Sequence, residues 1–142
     1  MVSMDKVYED YAEFAKEKRN QYRLPSGPWI VTAARFGHDE VEVHILTNWG
    51  KMWLHWGLFY QGEAIWQQPL EPYPVNSHIG NGFLESEFIE DTMLFDSGVY
   101  SVHIRIFNLG SIKPKIGGIA FVPHQGDKWY NKDGGDFRIN FS

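Results

Sequence analysis

The period of the apolar positions changes once along the chain. In residues 3–23, SMDKVYEDYAEFAKEKRNQYR, Val7, Tyr11, Phe14 and Ala15 recur at helical spacing among Lys and Glu. This predicts an N-terminal helix, capped by Ser3 and stopped by Pro25, Gly27 and Pro28. From Trp29 onward, Val, Ile, Thr and aromatic residues run in short stretches broken by Gly, Pro and Asn, the texture of β-strands. Strands are predicted over 29–36, 40–47 and 52–59, with Gly37-His38-Asp39 turning the first into the second, and later over 83–90, 98–107, 116–123 and 136–141. In the second, Val41, Val43 and Ile45 alternate with Glu42, His44 and Leu46, which predicts one buried and one mostly wet face. Residues 98–107 alternate as cleanly. Short strands at this spacing predict an all-β fold, an antiparallel two-sheet immunoglobulin-like sandwich preceded by one α-helix. The predicted division is 1–27 as helix and linker and 28–142 as the sandwich.

Residues 60–82 form the longest stretch without a clear period, and they carry Trp66 and few charges. Segments of that length inside a compact domain are usually functional or disordered, and this composition favours an ordered, functional loop.

Composition narrows the chemistry. A chain of 142 residues is the size of one domain and can bury a core without covalent staples. The absence of cysteine excludes disulfides, thiolate metal sites and a cysteine nucleophile. A net charge of −5, with no Lys/Arg cluster beyond residues 16–19, argues against a nucleic-acid partner. No apolar run is long enough to cross a membrane as a helix, and the acidic N-terminus is not a secretory signal. The outlying quantity is the aromatic fraction of 16%, with six tryptophans.

No motif for catalysis emerges. The six histidines form no HExxH pattern, and His44 and His103 read as members of solvated strand faces rather than zinc ligands. Glu85, Glu87, Glu90 and Asp91 cluster, but a wet edge strand explains them better than a pair of glycosidase acids. GSIKPKIGG matches no phosphate-binding fingerprint. No metal or cofactor is predicted.

The tryptophans remain. On a strand, Trp53 and His55 point one way while Leu54 and Trp56 point the other. Leu54 with Trp56 suits the core, so Trp53 and His55 fall on the outer face. Trp66 and Trp129 lie in polar, loop-like surroundings; Trp129 is flanked by Lys128, Asn131, Lys132 and Asp133. Indole faces cover the C–H face of a sugar ring, and short polar side chains meet its hydroxyls.

WLHWGL at 53–58, then Trp66 and Pro69, then FVPHQGDKWYNKDGGDFRI at 121–139 resemble, in that order, the starch-binding modules at the N-terminal end of plant and algal glucan, water dikinases. These are the family 45 carbohydrate-binding modules, related to families 25 and 53. The resemblance covers residues 29–141. Ser86-Glu87 stands where the family has Thr-Pro, Pro123 stands where it has an apolar residue, and the N-terminal helix is outside it.

The resemblance implies a non-catalytic module that binds α-1,4-glucan: starch, maltooligosaccharide or cyclodextrin. Carried over position by position, Trp66 and Trp129 form the stacking platform, His55 meets hydroxyls, and Lys128 and Asn131 add polar contacts. Apart from the resemblance, Trp53, on the face of His55, and Asp133, near Trp129, are further candidates. The resemblance also implies an attached or associated starch-metabolising enzyme, and a location inside the cell at starch or glycogen granules, in plastid or cytosol. Two readings from other classes compete: a protein–protein interaction module using its exposed aromatics, and a small glycoside hydrolase using the acids at 85–91.

Overall fold

A computed structural model describes residues 3–16, 18–24, 27–91, 98–132 and 134–142. After a short helix, α1 (Met4–Asp10), the strands follow in chain order: β1 (Arg19–Arg23), β2 (Trp29–Gly37), β3 (Glu40–Thr47), β4 (Trp53–Tyr60), β5 (Trp66–Gln67), β6 (Ser77–Ile79), β7 (Leu84–Glu87), β8 (Ile89–Glu90), β9 (Tyr100–Phe107), β10 (Ile116–Gln125), β11 (Lys128–Trp129) and β12 (Phe137–Asn140). They make two antiparallel sheets. The first runs β1-β2-β3-β9-β8 and the second β11-β10-β4-β7-β6, with β12 also on β10 and β5 also on β4. This is the expected immunoglobulin-like sandwich.

The sheets close over Trp56, Phe121, Phe137, Leu54, Ile45 and their neighbours, all buried. Strand parity decides which residues reach this core: on β4, Leu54, Trp56 and Leu58 point in. The indole N–H of the buried Trp56 donates to Ser86 Oγ at 2.9 Å, so the core tryptophan carries no unmet donor.

The N-terminal segment differs from the sequence expectation. The helix caps on Ser3 as predicted but spans only Met4–Asp10. Residues 19–23, expected within the helix, instead form β1, paired to β2 from Arg19↔Ala33 to Arg23↔Trp29. The gain is tertiary: Tyr22 packs against the core, and the edge of β2 finds a partner. Pro25, the expected helix stop, lies outside the described residues.

Helix α1 and the turn after it lie on the outer face of the first sheet. Met4, Val7, Tyr11 and Ala15 bury against Val31, Ala33, Leu46 and Val99. Tyr11 donates its hydroxyl to the buried Asp91 carboxylate (3.1 and 3.2 Å), to which Ser101 Oγ also donates at 2.7 Å. Burial first, then the Asp91 charge, pushes the Tyr11 phenol well above its ordinary value. This cover corrects the reading of β3. Its outer face is not wet, because Leu46 is fully buried and His44 is 6% exposed beneath Tyr11 and Phe14.

Candidate functional site

The outer face of the second sheet is built around β4. Its outward positions are Trp53, His55 and Gly57, as strand parity predicts. The register places Val122 of β10 and Glu85 of β7 beside His55, and His124 and Glu87 beside Trp53. Cross-strand neighbours on one face touch, so these side chains form a single surface.

Glu85 organises the centre. One carboxylate oxygen lies 2.9 Å from His55 Nδ1 and the other 2.8 Å from His124 Nε2. Partial burial raises the Glu85 pKa, but the hydrogen bonds and charges of His55 and His124 outweigh it and hold the carboxyl below its ordinary range. An ionised carboxylate only accepts, so both facing ring nitrogens are the protonated ones. In the neutral ring the Nε2 of His55 then carries the lone pair and is the atom able to accept a hydrogen bond.

Aromatic rings enclose His55. Phe83 has its centroid 4.2 Å away, Trp66 5.3 Å at 40° and Trp129 5.2 Å at 82°. The structure thus brings together His55, Trp66 and Trp129, which are 74 residues apart at the extremes. His124 lies flat on Trp129, with centroids 4.0 Å apart and planes 17° apart. Trp129 is 42% exposed.

Local sequence explains how each ring is seated. Trp66 is not on a loop: β5 pairs with β4, Trp66 opposite Phe59. Its indole N–H donates to Asp136 Oδ2 at 2.8 Å, and Arg138 Nε holds the other oxygen at 3.0 Å. Gly57 makes room beneath it: a Cβ there would stand 3.1 Å from both the Trp66 ring and the Gln67 carbonyl. Gly80 does the same for Phe83, whose ring occupies the space a side chain would need. The 60–82 segment is therefore ordered, but as β5, β6 and their turns.

The remaining candidates fall elsewhere. Trp53 shares the face of His55, its ring 5.3 Å from that of His78. Lys128 alternates with Trp129 on β11 and turns toward Tyr130, its Nζ 5.8 Å from that ring. Asn131 lines a different groove, with Gln21, Tyr22, Leu24, Lys132 and Phe137. Asp133 lies outside the described residues. The sequence does not single out His124, Phe83 or Asp136 for this site, and it presents Glu85 only as a wet edge-strand acid or a glycosidase acid. The alternation of 83–88 could have flagged Phe83, Glu85 and Glu87 as one face; nothing in the sequence pairs Glu85 with two histidines.

The acidic segment departs from the edge-strand expectation. β7 lies between β4 and β6, because part of the long connection returns as β6 and covers it. Asp91 is 1% exposed. Glu87 accepts from Asn76 Nδ2 at 3.2 Å.

A second histidine constellation sits on the first sheet. Glu42, His44 and His103 have ligand-type atoms within 4.8 Å of one another. The two imidazoles are stacked, 4.2 Å apart and 7° from parallel. Ring lone pairs lie in the ring planes, so those of two stacked rings do not converge on a tetrahedral ion. Arg35 already holds Glu42 at 2.6 Å, and His103 Nε2 holds its other oxygen at 2.6 Å. Burial first, then the charge of His103, lowers the His44 pKa to about 4, so His44 is a neutral packed ring rather than a solvated one. His103 is the exposed member of the pair.

The sequence model of the Alpha-glucan water dikinase 1 Ig-like N-terminal domain matches residues 28–141, which takes in every strand from β2 to β12 and leaves out α1 and β1. No curated protein and no solved structure matches the chain.

Proposed function

This chain belongs to the family of the alpha-glucan water dikinase 1 Ig-like N-terminal domain, and from that premise we propose that the outer face of its second sheet binds α-1,4-glucan without reacting with it. The observation that carries this reading is the convergence of Trp66 and Trp129 on His55, with the two indoles inclined differently to one imidazole (40° and 82°). Inclined indoles suit a curved glucan, whose successive rings change direction; a flat β-linked chain suits coplanar rings. His55 and its Glu85 partner supply the polar groups for hydroxyls between the stacked faces.

A binding role also fits the carboxylates. Both Glu85 oxygens are engaged by histidines, and Asp91 is buried with Tyr11 and Ser101. Glu85 and Asp91, two of the acids at 85–91, are thus not free to serve as the opposed pair flanking an open cleft that glycoside cleavage requires. Each stacked ring contributes little after desolvation and ordering, so a short oligosaccharide should bind at tens of micromolar to millimolar, on the order of −4 to −6 kcal/mol. In the cell the module would direct an attached starch-metabolising enzyme to starch or glycogen granules.

The test is Trp fluorescence titration with maltoheptaose and β-cyclodextrin, alongside co-sedimentation with granular starch and with cellulose. Quenching and starch-selective pull-down are expected, and both should be lost in the Trp66→Ala/Trp129→Ala double variant. Equal pull-down by the folded double variant would overturn the assignment of the site. Pull-down by cellulose alone would overturn the substrate.

A further inference from the structure

The face that carries His55 continues past Glu85 to a second aromatic pair. Trp53 stands two residues before His55 on β4, about 7 Å along the strand and on the same side. Its ring is 5.3 Å from the His78 imidazole, at 36°. His78 is opposite Glu85 in the β6–β7 register. It therefore lies two strands from His55, about 10 Å across the sheet. Glu87 is opposite Trp53 and holds Asn76, so a carboxylate and an amide flank the indole. His78 is exposed and Trp53 half-buried. The contrast with the first sheet is informative. There the outer face is covered by α1 and the turn after it, and His44 packs under Tyr11 and Phe14. Among the described residues, no element packs over Trp53 and His78.

We propose that Trp53 and His78 form a second sugar subsite, contiguous with the His55–Trp66–Trp129 site, that takes the continuing residues of one α-glucan chain. This rests on the glucan-binding reading above. Glu85 is the divider: its carboxylate, held by His55 and His124, stands between the two aromatic sets, where it accepts hydroxyls of the sugar that spans them. A trisaccharide fills the first set alone, and a longer chain engages both. The subsite thus selects for chain length.

Calorimetric titration of maltotriose and maltoheptaose into wild type, Trp53→Ala, His78→Ala and Trp129→Ala tests this. Wild type should bind the heptaose about tenfold more tightly than the triose. Trp53→Ala and His78→Ala should keep triose affinity and lose most of that tenfold gain, while Trp129→Ala should weaken both ligands. Equal wild-type affinity for the two sugars, or an unchanged heptaose affinity in both Trp53→Ala and His78→Ala, would overturn the subsite and leave the glucan reading standing. Loss of triose and heptaose binding together in His78→Ala with a native near-ultraviolet spectrum would also overturn it. Failure of wild type to bind either sugar would instead overturn the glucan reading itself.

Discussion

The imidazole of His124 lies flat against the indole of Trp129, ring centres 4.0 Å apart, while its Nε2 is held 2.8 Å from Glu85. One carboxylate therefore orients both platforms: Trp129 through His124, and the ring cluster around His55 directly. Trp129 sits on a two-residue strand and is substantially exposed. Without this brace its ring would have few fixed neighbours.

Glu85→Gln keeps the shape but places an amide N–H₂ against a protonated ring nitrogen. Stability should fall by about 1–3 kcal/mol at neutral pH, and maltoheptaose affinity several-fold, read by thermal unfolding and calorimetry. The sign with pH follows from the depressed Glu85 pKa. Its contribution is present above the ordinary carboxyl value of 4.5 and is lost as pH falls through the lower folded value. The stability gap between wild type and Glu85→Gln should therefore close on acidification below pH 4.5; a gap that stays constant would refute the ion-paired role.

Gly57→Ala tests the seat of Trp66. The added methyl meets the indole at 3.1 Å and the backbone oxygen of Gln67 at 3.1 Å, and since β5 backbone cannot retreat from its ladder, the indole must shift. A stability loss of about 1–3 kcal/mol and weaker quenching by β-cyclodextrin are expected. Unaltered quenching would show that Trp66 does not need this position to stack.

His44 makes stability fall on acidification in a definable window. Its unfolded value is 6.5 and its folded value about 4. Between them the unfolded chain takes up a proton that the fold does not, so stability declines from pH 6.5 and the loss levels off near pH 4, about 3 kcal/mol in all. His44→Phe fills the same space beside Tyr11 and Phe14 without titrating, and should flatten the denaturant midpoint over that range. An equally steep slope in the variant would remove His44 as its source.

The N-terminal segment is structural although the family match begins after it. Tyr11→Phe removes a donor from the buried Asp91 carboxylate and should lower stability by about 1–3 kcal/mol. A chain starting at residue 28 uncovers Val31, Ala33, Leu46 and Val99 and strips β1 from the edge of β2. It should bind a hydrophobic dye and self-associate. A monomeric, dye-negative truncation with native melting would refute this.

Local periodicity alone determined much of this protein. Alternation in β3 and β9, with short strand-forming runs between turn residues at β2, β4 and β10, was enough to predict a sandwich. Parity on β4 was enough to sort Leu54 and Trp56 inward from Trp53 and His55 outward. Trp66 and Trp129 were legible as candidates because indoles among polar residues are poor core. Three things were decided only by tertiary structure. Residues 19–23 were expected to continue the helix whose apolar spacing runs to Ala15, yet they pair with β2, because an unpaired sheet edge and a core place for Tyr22 outweigh a weak local preference. His44 alternates with buried positions as a wet residue would, yet lies covered, since strand period reports which face a residue is on and never what lies over that face. The assembly of the site depends on cross-strand register, which joins β4, β5, β7, β10 and β11. Glu85 meets His55 and His124 across 30 and 39 positions of sequence, and no spacing rule within a single chain segment encodes contacts made between strands.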